Sequence, residues 1–454
     1  MESGLLVYAL PALATQLALT PIFSVLPGLY ATEFGVNVAV IGAAVIIMRL
    51  WDALTDPVVG ALSDRTRTPL GPRAPFMIAG LTIASAGGWF LFVPPNTPSL
   101  WTIALSGIVF FVGWTLIEVP HTAWGTELSR EPTVRTRLFL YRSLAGVAGG
   151  LLFAAMPYMP WSPGPAFSAQ TLRDTILAFM LVGAVSIFLC VWLVPKSPTL
   201  HNAKRQADTG RAMQAAMRNA PFWRFLAAFS LSGLGIGAFN TLQFIYLKSY
   251  LGYDAEIPIV IGAGSLAALL ALPVWLVLVN RFGKVATWCV GMGLVALFIA
   301  PVAFVPPGPD YFILYLCLSL GVATCAGAGI IVPFSLLGDV IDFDTLKSGL
   351  VSTGLYTSFF LLVVKMNGAI GGGVGLIALE WIGFDPNAVG HSPQAVLGFK
   401  TLISGLTSAL LLAGTLLLWR FPINAKRHAI IRRALDRQGR GKAGPRRQPS
   451  EARR

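Results

Sequence analysis

The apolar residues of this chain arrive in twelve separate runs of about twenty residues, each long enough to cross a hydrocarbon core of roughly 30 Å. A backbone inside such a core must satisfy its own hydrogen bonds, so runs of that length predict helices and not the short strands of a barrel. They fall at 5–29, 38–62, 75–94, 100–123, 138–160, 172–195, 222–247, 256–280, 285–305, 311–336, 352–382 and 396–420. The expected fold class is therefore an all-α membrane protein of twelve transmembrane helices. A composition with 55% hydrophobic and only 12% charged residues agrees, since an average soluble domain carries about twice that charge. Only Met1 to Leu5 precede the first run, without a basic cluster, so a cleaved leader is not expected.

Twelve spans place both termini on one side, and loop charge says which. Arg65, Arg67 and Arg73 follow span two; Arg130, Arg135 and Arg137 follow span four. Lys204, Arg205, Arg211 and Arg218 follow span six, and Arg281 and Lys284 follow span eight. The intervening loops carry almost no Lys or Arg, with Arg173 and Lys248 as isolated exceptions. Because positive residues are retained inside, the termini are expected in the cytoplasm and the protein in the cell inner (plasma) membrane. The same segregation absorbs much of the net charge of +13, so no nucleic-acid partner is implied. The rest lies in the tail after Asn424, a short basic helix running into a Gly/Pro-rich end suited to anionic lipid headgroups.

Little supports an enzyme. Cys190, Cys289, Cys317 and Cys325 all lie in apolar runs without metal-ligand spacing and read as packing residues. Of the four histidines only His121 approaches a span interior, and a single histidine there is commonly structural. No phosphate loop, dinucleotide fingerprint, zinc motif or nucleophile elbow is present, so no cofactor and no catalytic residue is expected.

The long basic connection near the middle divides the spans into two sets of six. This gives an N-terminal half over 1–195, a central cytoplasmic loop over 196–220, a C-terminal half over 221–423 and a basic tail over 424–454. A faint echo links the halves: span two runs into GALSDRTRTPLGPRAPF and span eight into WLVLVNRFGKVATW, each a basic, glycine-containing turn. Paired six-helix halves are similar to the major facilitator fold, which carries its solute cavity between the halves near the midplane.

Charges inside spans are expensive, about 2.5–3.5 kcal/mol each on insertion scales, so each needs a partner or a task. Span two holds Arg49, Asp52 and Asp56; span four Glu118; span five Arg142; span eleven Lys365. Asp52 and Asp56 stand one helical turn apart and share a face, with Thr55 beside them, which makes an oxygen-rich trap for a cation. The plainer reading is that Arg49, Arg142 and Lys365 pair these acids to hold the halves together. Glu118, before Pro120, and Arg142 occupy one expected cavity wall, where the guanidinium can fork onto a carboxylate or onto solute hydroxyls. Trp51, Trp114 and Trp124 are candidate stacking surfaces. In the run GDVIDFDTLKSG, Asp339, Asp342 and Asp344 close span ten; Asp339 and Asp342 with Asp64, Arg65, Arg73, Arg135 and Arg137 are expected to form a gate of inter-half salt bridges, the plainer reading being a solvated helix end.

With these residues assembled, the chain resembles the glycoside-pentoside-hexuronide:cation symporter family of the major facilitator superfamily, in a melibiose-permease-like pattern. The blocks RLWDALTDPVVGALSDRTRTPLGPRAPF (49–76), IEVPHTAWGTELSREPTVRTRLFLYRSLAG (117–146), GDVIDFDTLKSG (338–349) and VVKMNGAIGG (363–372) carry it through both halves. The resemblance implies a cation site at Asp52, Thr55, Asp56 and Thr115, with Na⁺ or H⁺ as coupling ion, and a substrate site at Gln16, Glu118, Arg142 and Lys365. It departs from the melibiose permease at Thr55, which stands where that permease has Asn, and at Thr15 and Gln16, which replace a Lys-Asp pair. Thr122 and Ile330 stand where it has sugar-stacking tryptophans. The helix-one Gln16 is also similar to that of related lysolipid transporters. The implied activity is symport of a small molecule, a sugar or glycoside, by a monomer in the lipid bilayer. The alternatives are symport of a lysolipid or other organic solute, and a membrane sensor that no longer transports.

Overall fold

The computed structural model describes residues 2–128, 131–195, 209–350, 352–423 and 425–442. Among them are twelve helices long and apolar enough to cross a membrane. In the first half these are Gly4–Ser24, Val38–Arg65, Ala74–Phe92, Leu100–Glu127, Thr136–Tyr158 and Ala169–Leu193, spans one to six. Spans seven to twelve are Ala220–Leu251, Ile257–Phe282, Lys284–Phe304, Pro309–Ser348, Thr353–Trp381 and Pro393–Trp419. Each begins or ends within a few residues of the expected run, with two departures. The first breaks near Val25, after Pro21, and a short helix Leu26–Thr32 continues it with Pro27 in its first turn. The tenth does not stop near 336 but runs unbroken to Ser348, and Gly349 at φ 71° ends it with its N–H bonded to the Thr345 carbonyl.

The two halves repeat one packing scheme. In the first, span one packs on five and six, span two on four, and span three on four and six. In the second, span seven packs on eleven and twelve, span eight on ten, and span nine on ten and twelve. Adding six to every number of the first set gives the second. The junctions are also equivalent, since span two meets eleven and span five meets eight. The two echoed turns match in backbone as well: Gly71 at φ 94° and Gly283 at φ 87° take a conformation that an L side chain rarely adopts. Of the central connection, residues 196–208 lie outside the described residues, and a short helix Thr209–Met217 precedes span seven. Of the tail, Ala425–Lys442 is a helix, and 443–454 lie outside the described residues.

Closure between the halves is one-sided. On the face away from the termini, a Cβ at Gly28 would strike the Phe244 ring, and one at Gly42 the Gly373 carbonyl oxygen. Asn37 Nδ2 donates to Glu380 Oε1 at 2.7 Å, Asn387 Nδ2 to the Ala31 carbonyl at 2.8 Å, and Lys248 Nζ lies 3.8 Å from Glu33 Oε1. On the face carrying the termini, Arg73 pairs with Asp64 and Glu127, and Lys284 and His428 pair with Asp339, each within its own half. The molecule is thus fastened at one face and parted at the other.

Candidate functional site

At mid-depth, where the halves still touch, span two presents Asp52 and Asp56 side by side. Asp52 is fully buried. Thr115 Oγ1, from span four, lies 2.9 Å from Asp52 Oδ1 and 3.3 Å from Asp56 Oδ1, tying the two acids to one hydroxyl. Arg49 NH1, one turn before Asp52, donates to its Oδ2 at 2.8 Å, with the guanidinium wedged between the rings of Phe23 and Phe111. From the other half comes Lys365, whose Nζ stands 2.5 Å from Asp56 Oδ2 and 3.1 Å from Asp52 Oδ2. Two carboxylates therefore meet two cations. A buried charge without such a partner is strongly unfavourable, so the set balances only while all four members stay together.

A cavity begins beside this cluster. Its first chamber, about 410 Å³, is lined by Gln16, Thr20, Trp114, Glu118, Arg142 and Ser265, among others. Arg142 donates to Glu118 in a close ion pair along one wall, and Lys365 Nζ lies 5.3 Å from the centre of the Trp114 ring on another. The Trp114 Nε1 is buried and has no hydrogen-bond partner among the described residues. Gln16, Thr20 and Ser265 also line a second chamber of about 400 Å³, which continues toward the fastened face. Its walls are more apolar, including Phe23, Ile236, Phe239, Val260, Ile261 and Val322, and Ser24, Asn240, Gln243 and Ser319 add further polar atoms. One end of the composite space thus carries charge, and the other is uncharged and more apolar. No group of His, Cys, Asp or Glu able to hold a metal ion by itself occurs among the described residues.

A family model described as MFS/sugar transport protein matches residues 7–425, nearly the whole chain. The chain belongs to that family. It is a transporter, and the resemblance carried by the motif blocks holds. Among curated relatives it is 24% identical to the human sodium-dependent lysophosphatidylcholine symporter 1 over 428 residues, 86% of this chain and 77% of that protein. It is 22% identical to the glucuronide carrier protein homolog of Escherichia coli over 424 residues, 88% of this chain and 87% of the other. Two solved structures share the fold. The nucleoside transporter NupG (D323A mutant) superposes with a TM-score of 0.69 at 15% identity, covering 91% of this chain and 99% of that one. The D-xylose-proton symporter gives 0.67 at 14%, covering 92% and 97%.

Asp52, Asp56 and Thr115 come together in this transporter, and so do Gln16, Glu118 and Arg142, while Lys365 sits at the acids and not against the Glu118 wall. Thr55 departs from expectation, because its hydroxyl turns back to donate to the Asp52 backbone carbonyl at 3.0 Å instead of joining the carboxylates. Of the tryptophans only Trp114 lines the chamber. Trp124 is buried with its Nε1 donated to the Pro195 carbonyl, and Trp51 is half exposed. His121 is fully buried, its ring Nε2 at 2.7 Å from the Tyr8 carbonyl while Tyr8 Oη donates to the His121 carbonyl at 2.6 Å. That reciprocal pair stitches span one to span four. Cys190, Cys289 and Cys325 are buried and free, and Cys317 is exposed.

Among the described residues, no pair of the expected gate joins the two halves in this conformation. Arg73 instead pairs with Asp64 at 2.6 Å and Glu127 at 2.5 Å, and also donates to Ser63. Burial alone would lower the Arg73 pKa, but those two carboxylates outweigh it and hold the guanidinium above its ordinary value. Asp339 pairs with Lys284 at 2.6 Å, and Asp342 with His428 at 3.0 Å. Arg65 and Arg137 are exposed, and the Arg135 side chain lies outside the described residues. Arg73, Asp339 and Asp342 thus each pair with residues of their own half. Sequence reading passed over Thr20, Ser265, Asn240 and Gln243. Their signal was a polar residue within an apolar run, weaker than that of a charge.

Proposed function

We propose that this transporter is a cation-coupled symporter working by alternating access, with Asp52, Asp56 and Thr115 as cation ligands and Lys365 as the group that gives way. The observation that carries the reading is the ammonium of one half seated on the paired carboxylates of the other. Because Arg49 and Lys365 already balance both acids, an arriving Na⁺ or H⁺ substitutes for Lys365 and is not simply added. Substitution loosens a bond between the halves and frees Lys365 to serve the solute at Gln16, Glu118 and Arg142. Cation and solute then each favour the other's binding, as linkage requires.

The solute is a sugar or glycoside, its hydroxyls held by Glu118, Arg142 and Gln16 in the charged chamber. The adjoining apolar chamber favours a second reading, an amphipathic solute such as a lysolipid, with its head at Arg142 and its chain among Phe239, Ile261 and Val322. The protein sits as a monomer in the cell inner membrane with its termini in the cytoplasm. The parted face is then the cytoplasmic one, and Asp64, Arg65, Arg73, Arg135 and Arg137 meet Asp339 and Asp342 once that side closes.

Uptake of labelled glycosides, pentoses and lysolipids into proteoliposomes under imposed Na⁺ or H⁺ gradients tests the reading. Accumulation of one class only with a cation gradient supports it and names the class. Solute binding without flux under any gradient overturns it in favour of a sensor.

A further inference from the structure

A large cavity lies away from the solute site, at the termini-bearing end of the second half, with a volume of about 1130 Å³. It is enclosed by the turn between spans eight and nine, the end of span ten, the end of span twelve and the first turns of the tail helix. The tail is moored there. His428 Nε2 lies 3.0 Å from Asp342 Oδ2 and 3.3 Å from Asp339 Oδ1, and Arg432 NH1 lies 3.5 Å from Asp342 Oδ2. Lys284 takes the same Asp339 carboxylate at 2.6 Å.

The lining is charged one way. Arg281, Lys284, Arg420 and Arg427 face a single carboxylate, Asp339, which Lys284 already satisfies. Arg281 and Arg420 are exposed, and neither makes an ion pair among the described residues. Beside them stand Phe282 and Trp419, the last residues of their spans, with 60% and 65% of their surfaces exposed. Aromatic rings at span ends mark the boundary between hydrocarbon and headgroups. Below them Val277 and Leu416 present exposed apolar surface along spans eight and twelve.

We infer that this cavity is a binding site for an anionic phospholipid of the membrane, its phosphate between Arg281 and Arg420 and its chains along Val277, Trp419 and Leu416. Charge complementarity selects an anionic headgroup, and the position at the span ends selects a lipid over a dissolved anion. A zwitterionic lipid brings a second cation that the arginines repel.

Delipidated protein in neutral detergent, incubated with phosphatidylglycerol or phosphatidylcholine and weighed by native mass spectrometry, provides the test. The expected result is preferential retention of phosphatidylglycerol, reduced about tenfold to thirtyfold in Arg281→Gln/Arg420→Gln and largely kept in Arg281→Lys/Arg420→Lys. The melting temperature of each variant reports folding, and both substituted side chains are solvent-facing. Equal retention of the two lipids, or an unchanged Gln variant, overturns the inference. Displacement of phosphatidylglycerol by millimolar inorganic phosphate also overturns it, and indicates a site for a free anion.

Discussion

Lys365 and Asp56 belong to opposite halves of the molecule and meet at 2.5 Å, with Asp52 3.1 Å from the same ammonium. The pair is both a charge neutraliser and a fastener, because the side chain that balances the acids also joins span eleven to span two. Any cation that claims the carboxylates acts on the fit between the halves.

Replacing Lys365 by Gln should leave the two acids with Arg49 alone. Breaking a buried pair from one side costs about 3–5 kcal/mol, so the melting temperature should fall in cation-poor buffer. Added Na⁺ or mild acid should restore more of it than in the wild type. A thermal-shift titration of both proteins checks this, and equal cation responses would sink the idea.

Asp56→Asn should keep solute exchange while losing gradient-driven accumulation, because the amide keeps the shape and removes the charge that recruits the ion. Uphill uptake is expected to drop by at least about tenfold, the effect of roughly 1.4 kcal/mol of lost coupling. Counterflow between equal solute pools, measured beside it, should stay near wild type.

Glu118→Gln and Arg142→Ala differ in what they leave behind. The first leaves an unpaired guanidinium in the chamber wall and the second an unpaired carboxylate, and each should lower solute affinity by about 2–5 kcal/mol. Arg142→Lys should recover only part, since an ammonium lacks the planar fork. Equilibrium solute binding by calorimetry checks the order wild type, then Lys, then Ala.

Gly42 packs its backbone on the Gly373 carbonyl, and neither partner can move aside as a side chain tip would. Gly42→Ala should therefore disfavour closure of the face away from the termini. A cysteine placed at buried Ala31 of a cysteine-free background should then react faster with an impermeant maleimide from that face. An unchanged rate would show that the closure tolerates the added methyl.

The twelve spans were legible because length and all-round apolarity are local properties. The charge list was legible too, since each buried charge stands out against such a background. What the sequence could not show was pairing across distance. Lys365 lies more than three hundred residues from Asp52, and nothing local distinguishes a lysine that seals the acids from one that lines the opposite wall. The end of span ten was set too early for a local reason: the apolar run stops at 336 and Asp339, Asp342 and Asp344 read as its closing end, yet Asp339 and Asp342 are covered by Lys284 and the tail, and the helix continues to Ser348. Thr55 shows the smallest scale of the same difficulty, since a threonine beside two acids still has its own backbone carbonyl within reach.

Span ten's helix proper, Phe312–Ser348, has 37 residues, about 55 Å at 1.5 Å per residue, well beyond the roughly 30 Å that hydrocarbon requires. The surplus is a lever arm. Its distal stretch bears the acids on which the tail helix rests, so a small tilt of the second half about its midplane becomes a sideways sweep of that tail by several ångströms. A spectroscopic label on the tail would thus read the orientation of the transporter without touching its solute path.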